Sequence, residues 1–117
     1  MNRFEYGQVL RANIGQDVST NTGLRFILQP KSGQPLNSND VTGQPQNSIV
    51  RTGSDGVVVG TVAVVVGDES FAANEYLEYT VLEDDLSISG LWRIKGEADI
   101  SATNRAVGDY RNITVLD

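Results

Sequence analysis

The 117-residue chain contains no cysteine and no histidine. Without cysteine there is no disulfide framework, no thiolate nucleophile and no Cys-bearing zinc site. Without histidine the commonest general base and the commonest metal ligand are missing, as is the side chain that normally titrates near neutral pH. A Ser-His-Asp arrangement is thereby excluded. Lysine is scarce as well. The nine cations are seven arginines plus Lys31 and Lys95, spread singly along the chain against fifteen Asp and Glu, for a net charge of −6 and a pI near 4.5. No basic patch follows, so no nucleic-acid partner is expected; acidity of this kind favours solubility and says little about partners. Long apolar runs are also lacking: none approaches the ~20 residues of a membrane helix. Met1-Asn2-Arg3-Phe4-Glu5-Tyr6 has no apolar core of a signal peptide. The expectation is a soluble chain made in a cytoplasm, with no membrane partner, or one carried out within something larger.

What is present is β-structure. Val57-Val58-Val59-Gly60-Thr61-Val62-Ala63-Val64-Val65-Val66 holds seven valines in ten residues, all β-branched and suited to a pleated strand. Split by the strand period of two, Val58, Gly60, Val62, Val64 and Val66 share one face, and Val57, Val59, Thr61, Ala63 and Val65 the other. Both faces are apolar, whereas a strand in a two-layer domain needs only one buried face. The second face is covered either by the protein's own loops or strands, or by another chain. Its smaller residues Thr61 and Ala63 assign the set Val57, Val59, Thr61, Ala63 and Val65 outward, as a candidate interface.

Other strands read out in order. Phe4 to Ile14 alternates, with a break at Gly7. Leu24 to Gln29 places Leu24, Phe26 and Leu28 inward and Arg25, Ile27 and Gln29 outward, before Pro30-Lys31-Ser32-Gly33 closes it. Residues 30 to 56 form one long Pro/Gly/Ser/Asn-rich loop containing all three prolines, with a short strand at Ile49-Val50. A connection of that length is either a meandering surface loop or an arm that reaches a neighbour. After the turn Ser54-Asp55-Gly56 and the valine strand, Gly67-Asp68-Glu69-Ser70 is a terminating turn. Tyr76 to Leu82 sets Leu77, Tyr79 and Val81 opposite Tyr76, Glu78 and Thr80. Leu91 to Ala98 turns Trp92, Ile94, Gly96 and Ala98 inward and Arg93, Lys95 and Glu97 to water. Asp99 to Asp109 reads as a second polar loop and Tyr110 to Leu116 as a last strand. About seven strands without a helical period longer than a turn predict one all-β domain, an antiparallel β-sandwich of the immunoglobulin-like kind with Trp92 in its core.

Two stretches carry a resemblance. One runs from Leu10-Arg11-Ala12-Asn13-Ile14-Gly15-Gln16-Asp17-Val18 to Thr22-Gly23-Leu24-Arg25-Phe26-Ile27-Leu28-Gln29-Pro30-Lys31-Ser32-Gly33. The other is Tyr79-Thr80-Val81-Leu82-Glu83-Asp84-Asp85-Leu86, followed by Gly90-Leu91-Trp92-Arg93-Ile94. Together, over about half the chain, they resemble small β-sandwich structural proteins of tailed bacteriophages, with a Gly-Asp turn, a strand ending in Pro-x-Gly, and an acidic turn before Gly-hydrophobic-Trp. The resemblance implies a virion component of the tail: a fibre, baseplate or neck adaptor subunit. Its partners would be further copies of itself or other tail proteins.

Chemistry has little to work with. Glu83-Asp84-Asp85 and Asp68-Glu69 lack the alternating oxygen ligands and turn glycine of a calcium loop and read as solvated turns, so no metal is expected. Gly53-Ser54-Asp55-Gly56 lacks the lysine of a phosphate loop, and no cofactor is implied. Asn112-Ile113-Thr114 matches a glycosylation acceptor by chance. No enzyme is indicated. Two further readings remain open. One is a carbohydrate- or receptor-binding module that uses the loops 30–56 and 99–109, with Tyr76, Tyr79 and Trp92 able to stack a sugar or simply to pack a core. The other is a capsid decoration protein.

Overall fold

The computed structural model describes residues 7–30, 48–82, 85–86 and 90–116. Among them ten strands form: β1 (Val9–Asn13), β2 (Gly23–Pro30), β3 (Ile49–Thr52), β4 (Val58–Val59), β5 (Val64–Val66), β6 (Glu69–Phe71), β7 (Tyr76–Thr80), β8 (Gly90–Ser101), β9 (Asn104–Val107) and β10 (Arg111–Val115). The one helical piece among the described residues is a 3-10 turn, Gly53–Asp55. Within it the Asp55 carboxylate accepts from the Thr52 backbone N–H at 2.9 Å, and Gly56 leaves it at φ 98°, a backbone that glycine adopts without steric cost.

The architecture is an all-β antiparallel sandwich. One layer has the order β1-β7-β4; the other is β10-β8-β2-β3, with β9 also on β8. The twelve-residue β8 is the backbone of the larger sheet. Its first half pairs with β10, from Val115↔Gly90 to Arg111↔Ile94. Its second half pairs with β9, and β2 runs along most of its length on the other side. Period-two alternation decides what is buried. Phe26 and Leu28 of β2 meet Trp92, Ile94 and Ala98 of β8, while Leu10, Ala12, Leu77 and Tyr79 fill the inner face of the smaller sheet. Phe26 and Tyr79 bridge the layers at 5.5 Å between ring centroids, within the favoured range for aromatic pairs. At ~25 cal/mol per Å² of apolar surface, burying each such ring contributes about 2 kcal/mol.

Several expected elements lie where the alternation places them: β2, β7, β8 and the inward Trp92 among them. Phe4 and Tyr6 of the first strand, most of the loop 30–56 (residues 31–47), and Glu83 and Asp84 lie outside the described residues. Three readings are corrected. The valine run is not one strand. It leaves the smaller sheet after β4 and returns as β5 of a separate two-stranded hairpin with β6. The cause is Gly60. Its N–H donates to Tyr76 O at 3.0 Å and its carbonyl accepts from Asn74 N at 2.8 Å, and the Tyr76 ring lies so close that a Cβ at Gly60 would overlap it. The segment 99–109 is not a loop, since β8 continues to Ser101 and turns through Ala102-Thr103 into β9. Gly67-Asp68 does not end the β-structure either; it is the two-residue loop of the β5–β6 hairpin, with Gly67 at φ 60°, as hairpins of this length require.

Candidate functional site

The expected interface residues separate in the folded chain. Val57 is 2 % exposed and belongs to the core, so its outward assignment is corrected. Val59 is half-buried against that core. Thr61, Ala63 and Val65 are exposed, Val65 at 72 %. The opposite set divides too: Gly60 is buried, whereas Val62 is 67 % and Val58 53 % exposed. A single alternation could not hold across the break at Gly60, so residues before and after it obey different frames.

What the break brings together is a hairpin lying against the outer face of the smaller sheet. Phe71 is buried and tilts against Tyr76 at 5.3 Å between centroids. The Tyr76 hydroxyl donates to the Val62 carbonyl at 2.6 Å. Burial, then the neighbouring Glu78 carboxylate, pushes the Tyr76 hydroxyl pKa up. Asn13 Nδ2 donates to the Ser70 carbonyl at 3.2 Å, and Arg111 Nε of β10 pairs with Glu69 at 2.7 Å. These contacts hold the base of the hairpin. Its valines stay outside: Val62, Val65 and Val66, with Val58 of the adjacent β4, are exposed. Sequence reasoning missed Glu69 and Phe71 as hairpin residues; the two-residue Gly67-Asp68 loop is a hairpin signal, but the polar Glu69-Ser70 after it gives no apolar run to mark the second strand.

A second polar constellation supports the frame. The Asp85 side chain is fully buried, which corrects the solvated-turn reading for that residue. It accepts from Arg51 Nε at 3.0 Å, from Arg51 Nη2, from the Tyr79 hydroxyl and from the Leu82 backbone N–H at 2.9 Å. Burial first, and then the bond to the Asp85 carboxylate, pushes the Tyr79 hydroxyl well above the usual tyrosine range. The buried charge is thus paired and satisfied, as a buried carboxylate must be.

The outer face of the larger sheet carries the third. Arg25 forks onto Asp99, with both terminal nitrogens at 3.0 Å, and its Nε reaches Glu97 at 3.1 Å. Arg105 adds a bond to Asp99 at 3.0 Å. Hydrogen bonds from Arg25 and then from Arg105 hold the Asp99 carboxyl far below the carboxylate range. Glu97, expected to face water, is largely covered by these partners. Beside them the Tyr110 ring lies under Arg93 at 4.0 Å and Lys95 at 4.6 Å, cation–π distances. Tyr76, Tyr79 and Trp92 are all buried, so none of them offers a surface platform for a sugar. Among the described residues no three carboxylates converge on a point where a metal could sit.

Among the described residues, an open cleft of about 340 Å³ runs between β1 and β10, with Val66 and Phe71 in its lining. Comparison with protein-family models, curated proteins and solved structures returned no match for this chain.

Proposed function

We propose that this chain is a structural subunit of a tailed-phage virion, built into the tail through its β-sheet surfaces. The observation that carries the assembly part is the exposed valine segment: Val62, Val65 and Val66 are exposed on and just before a hairpin anchored by Phe71, with exposed Val58 on the preceding β4. Apolar side chains grouped this way on a protein surface mark an interaction site. A valine-rich hairpin with an open strand edge also invites pairing unless a partner covers it. The resemblance over residues 10–33 and 79–94 supports the virion and tail part of the reading, as fibre, baseplate or neck adaptor.

The alternative of a glycan- or receptor-binding module draws less support. One of its two loops, 99–109, is a β-hairpin, and the aromatics it would use are interior. A capsid decoration protein shares the fold and differs in partner. Immunogold labelling with antibody raised against this chain separates these readings. Label on the tails of particles assembled by the encoding phage is expected; label on heads alone, or on no particle, overturns the proposal.

A further inference from the structure

We infer that the exposed valine hairpin docks on the outer face of the larger sheet of a second copy of this chain, head to tail. The inference rests on the assembly reading above and names the partner. Two independent properties of the two surfaces match. The first is charge. The outer face of the larger sheet carries Arg25, Arg93, Lys95 and Arg105 against Glu97 and Asp99, four cations to two carboxylates, or +2. On the hairpin side, Asp68 and Glu69 of the hairpin and Glu75 and Glu78 at β7 stand against Arg11 of β1, in register with Glu78, and Arg111 of β10, paired with Glu69: four carboxylates to two cations, or −2. In a chain of net charge −6, four of the described cations thus share one broad side.

The second is apolar surface. Val58, Val62, Val65 and Val66 on the hairpin side face Val50, Leu91, Val107 and Tyr110 on the other, all exposed in the single chain. The molecule measures 36 × 34 × 21 Å, so its broad sides exceed the ~800 Å² per partner of a standard interface. Like surfaces cannot pair with themselves here, because two +2 or two −2 faces would meet like to like, which is repulsive. Opposed surfaces can pair only heterologously. A heterologous contact repeats, closing into a ring or continuing as a stack, and either form is a way to build a tubular or annular part from one chain.

Sedimentation velocity on the whole chain tests this. At about 100 µM the wild-type chain should associate. Because complementary fields drive the contact, association should weaken between about 0.05 and about 0.5 M NaCl. That salt response is read on the unaltered chain and needs no variant. Arg93→Glu with Arg105→Glu reverses one face; Val65→Lys with Asp68→Lys reverses the other. Each variant, folded by circular dichroism, should associate at least about tenfold more weakly alone, and an equimolar mixture of the two should associate again. A wild-type chain that stays monomeric at low salt overturns the inference. So does a hairpin variant that abolishes association while the sheet-face variant leaves it intact, or a mixture that fails to recover. None of these bears on where antibody labels a particle, so the virion reading stands or falls separately.

Discussion

Asp85 is the residue at which burial and charge conflict most sharply. An isolated carboxylate removed from water is expensive, and only its donors make it tolerable. Arg51 approaches from β3, Tyr79 from β7, and the Leu82 N–H from the chain just before the turn. Removing the guanidinium leaves the charge buried with two neutral donors. Arg51→Met is therefore expected to lower unfolding stability by about 3 kcal/mol, at the low end for a broken buried pair because Arg51 itself keeps some solvent contact. Urea denaturation with an unchanged slope checks it. Nothing in Glu83-Asp84-Asp85 distinguishes the buried acid from its neighbours by type. The partner that makes burial tolerable is 34 positions away in sequence, outside any local pattern.

At the scale of elements, the valine run shows how one contact overrides a local period. Ten residues of β-branched character favour one long strand, and local propensity contains no reason to stop. Tyr76 supplies the reason: the far end of its ring sits where a side chain at Gly60 would have to be, with backbone hydrogen bonds to both the N–H and the carbonyl of the glycine. A glycine inside a strand pattern signals a close backbone approach, so the position of the break was readable, though not the direction the chain takes afterwards. Gly60→Ala is expected to cost about 2 kcal/mol, in the range for forcing a methyl group into packed surroundings. The same substitution should loosen the hairpin, read as faster amide exchange at Val64 to Phe71. Val65→Lys with Asp68→Lys, on the exposed hairpin surface, should leave stability within about 0.5 kcal/mol, so a folding defect there would contradict the described burial.

For the whole molecule, pH dependence follows from groups on both sides of the sandwich. Asp99 and Asp17 have carboxyl pKa values held below the ordinary value, Asp99 by Arg25 and Arg105 and Asp17 by the Ser19 hydroxyl and backbone N–H. Their depressed values contribute stability that is complete above the unfolded carboxylate pKa of about 3.9 and is lost as pH falls below it. The tyrosines act in the other direction. Tyr79 and Tyr76 are raised by burial first, so their contribution is complete below the unfolded tyrosine pKa of about 10 and is lost as pH climbs beyond it. Stability should therefore be flat with respect to these four groups between about pH 5 and pH 9 and fall on either side. Denaturant midpoints across pH check this: Asp99→Asn should flatten the acid limb, and Tyr79→Phe the alkaline one.

The amino-acid sequence by itself determined the all-β class, the inward sets of β2 and β8, the alternation of β7, the core position of Trp92, and the exclusion of thiol and imidazole chemistry. These depend on residue type and on a period of two, both local properties. Only the tertiary structure decided that Val57 is core while Val65 is surface, that Asp85 is interior, and that 99–109 is hairpin. The first two are set by contacts between segments well separated in the chain, Tyr76 on Gly60 and Arg51 on Asp85, which exist only once the sheets have packed; the 99–109 hairpin is local, closed by Arg105 on Asp99 six positions away, and its polar residues hid it from a reading by apolar alternation.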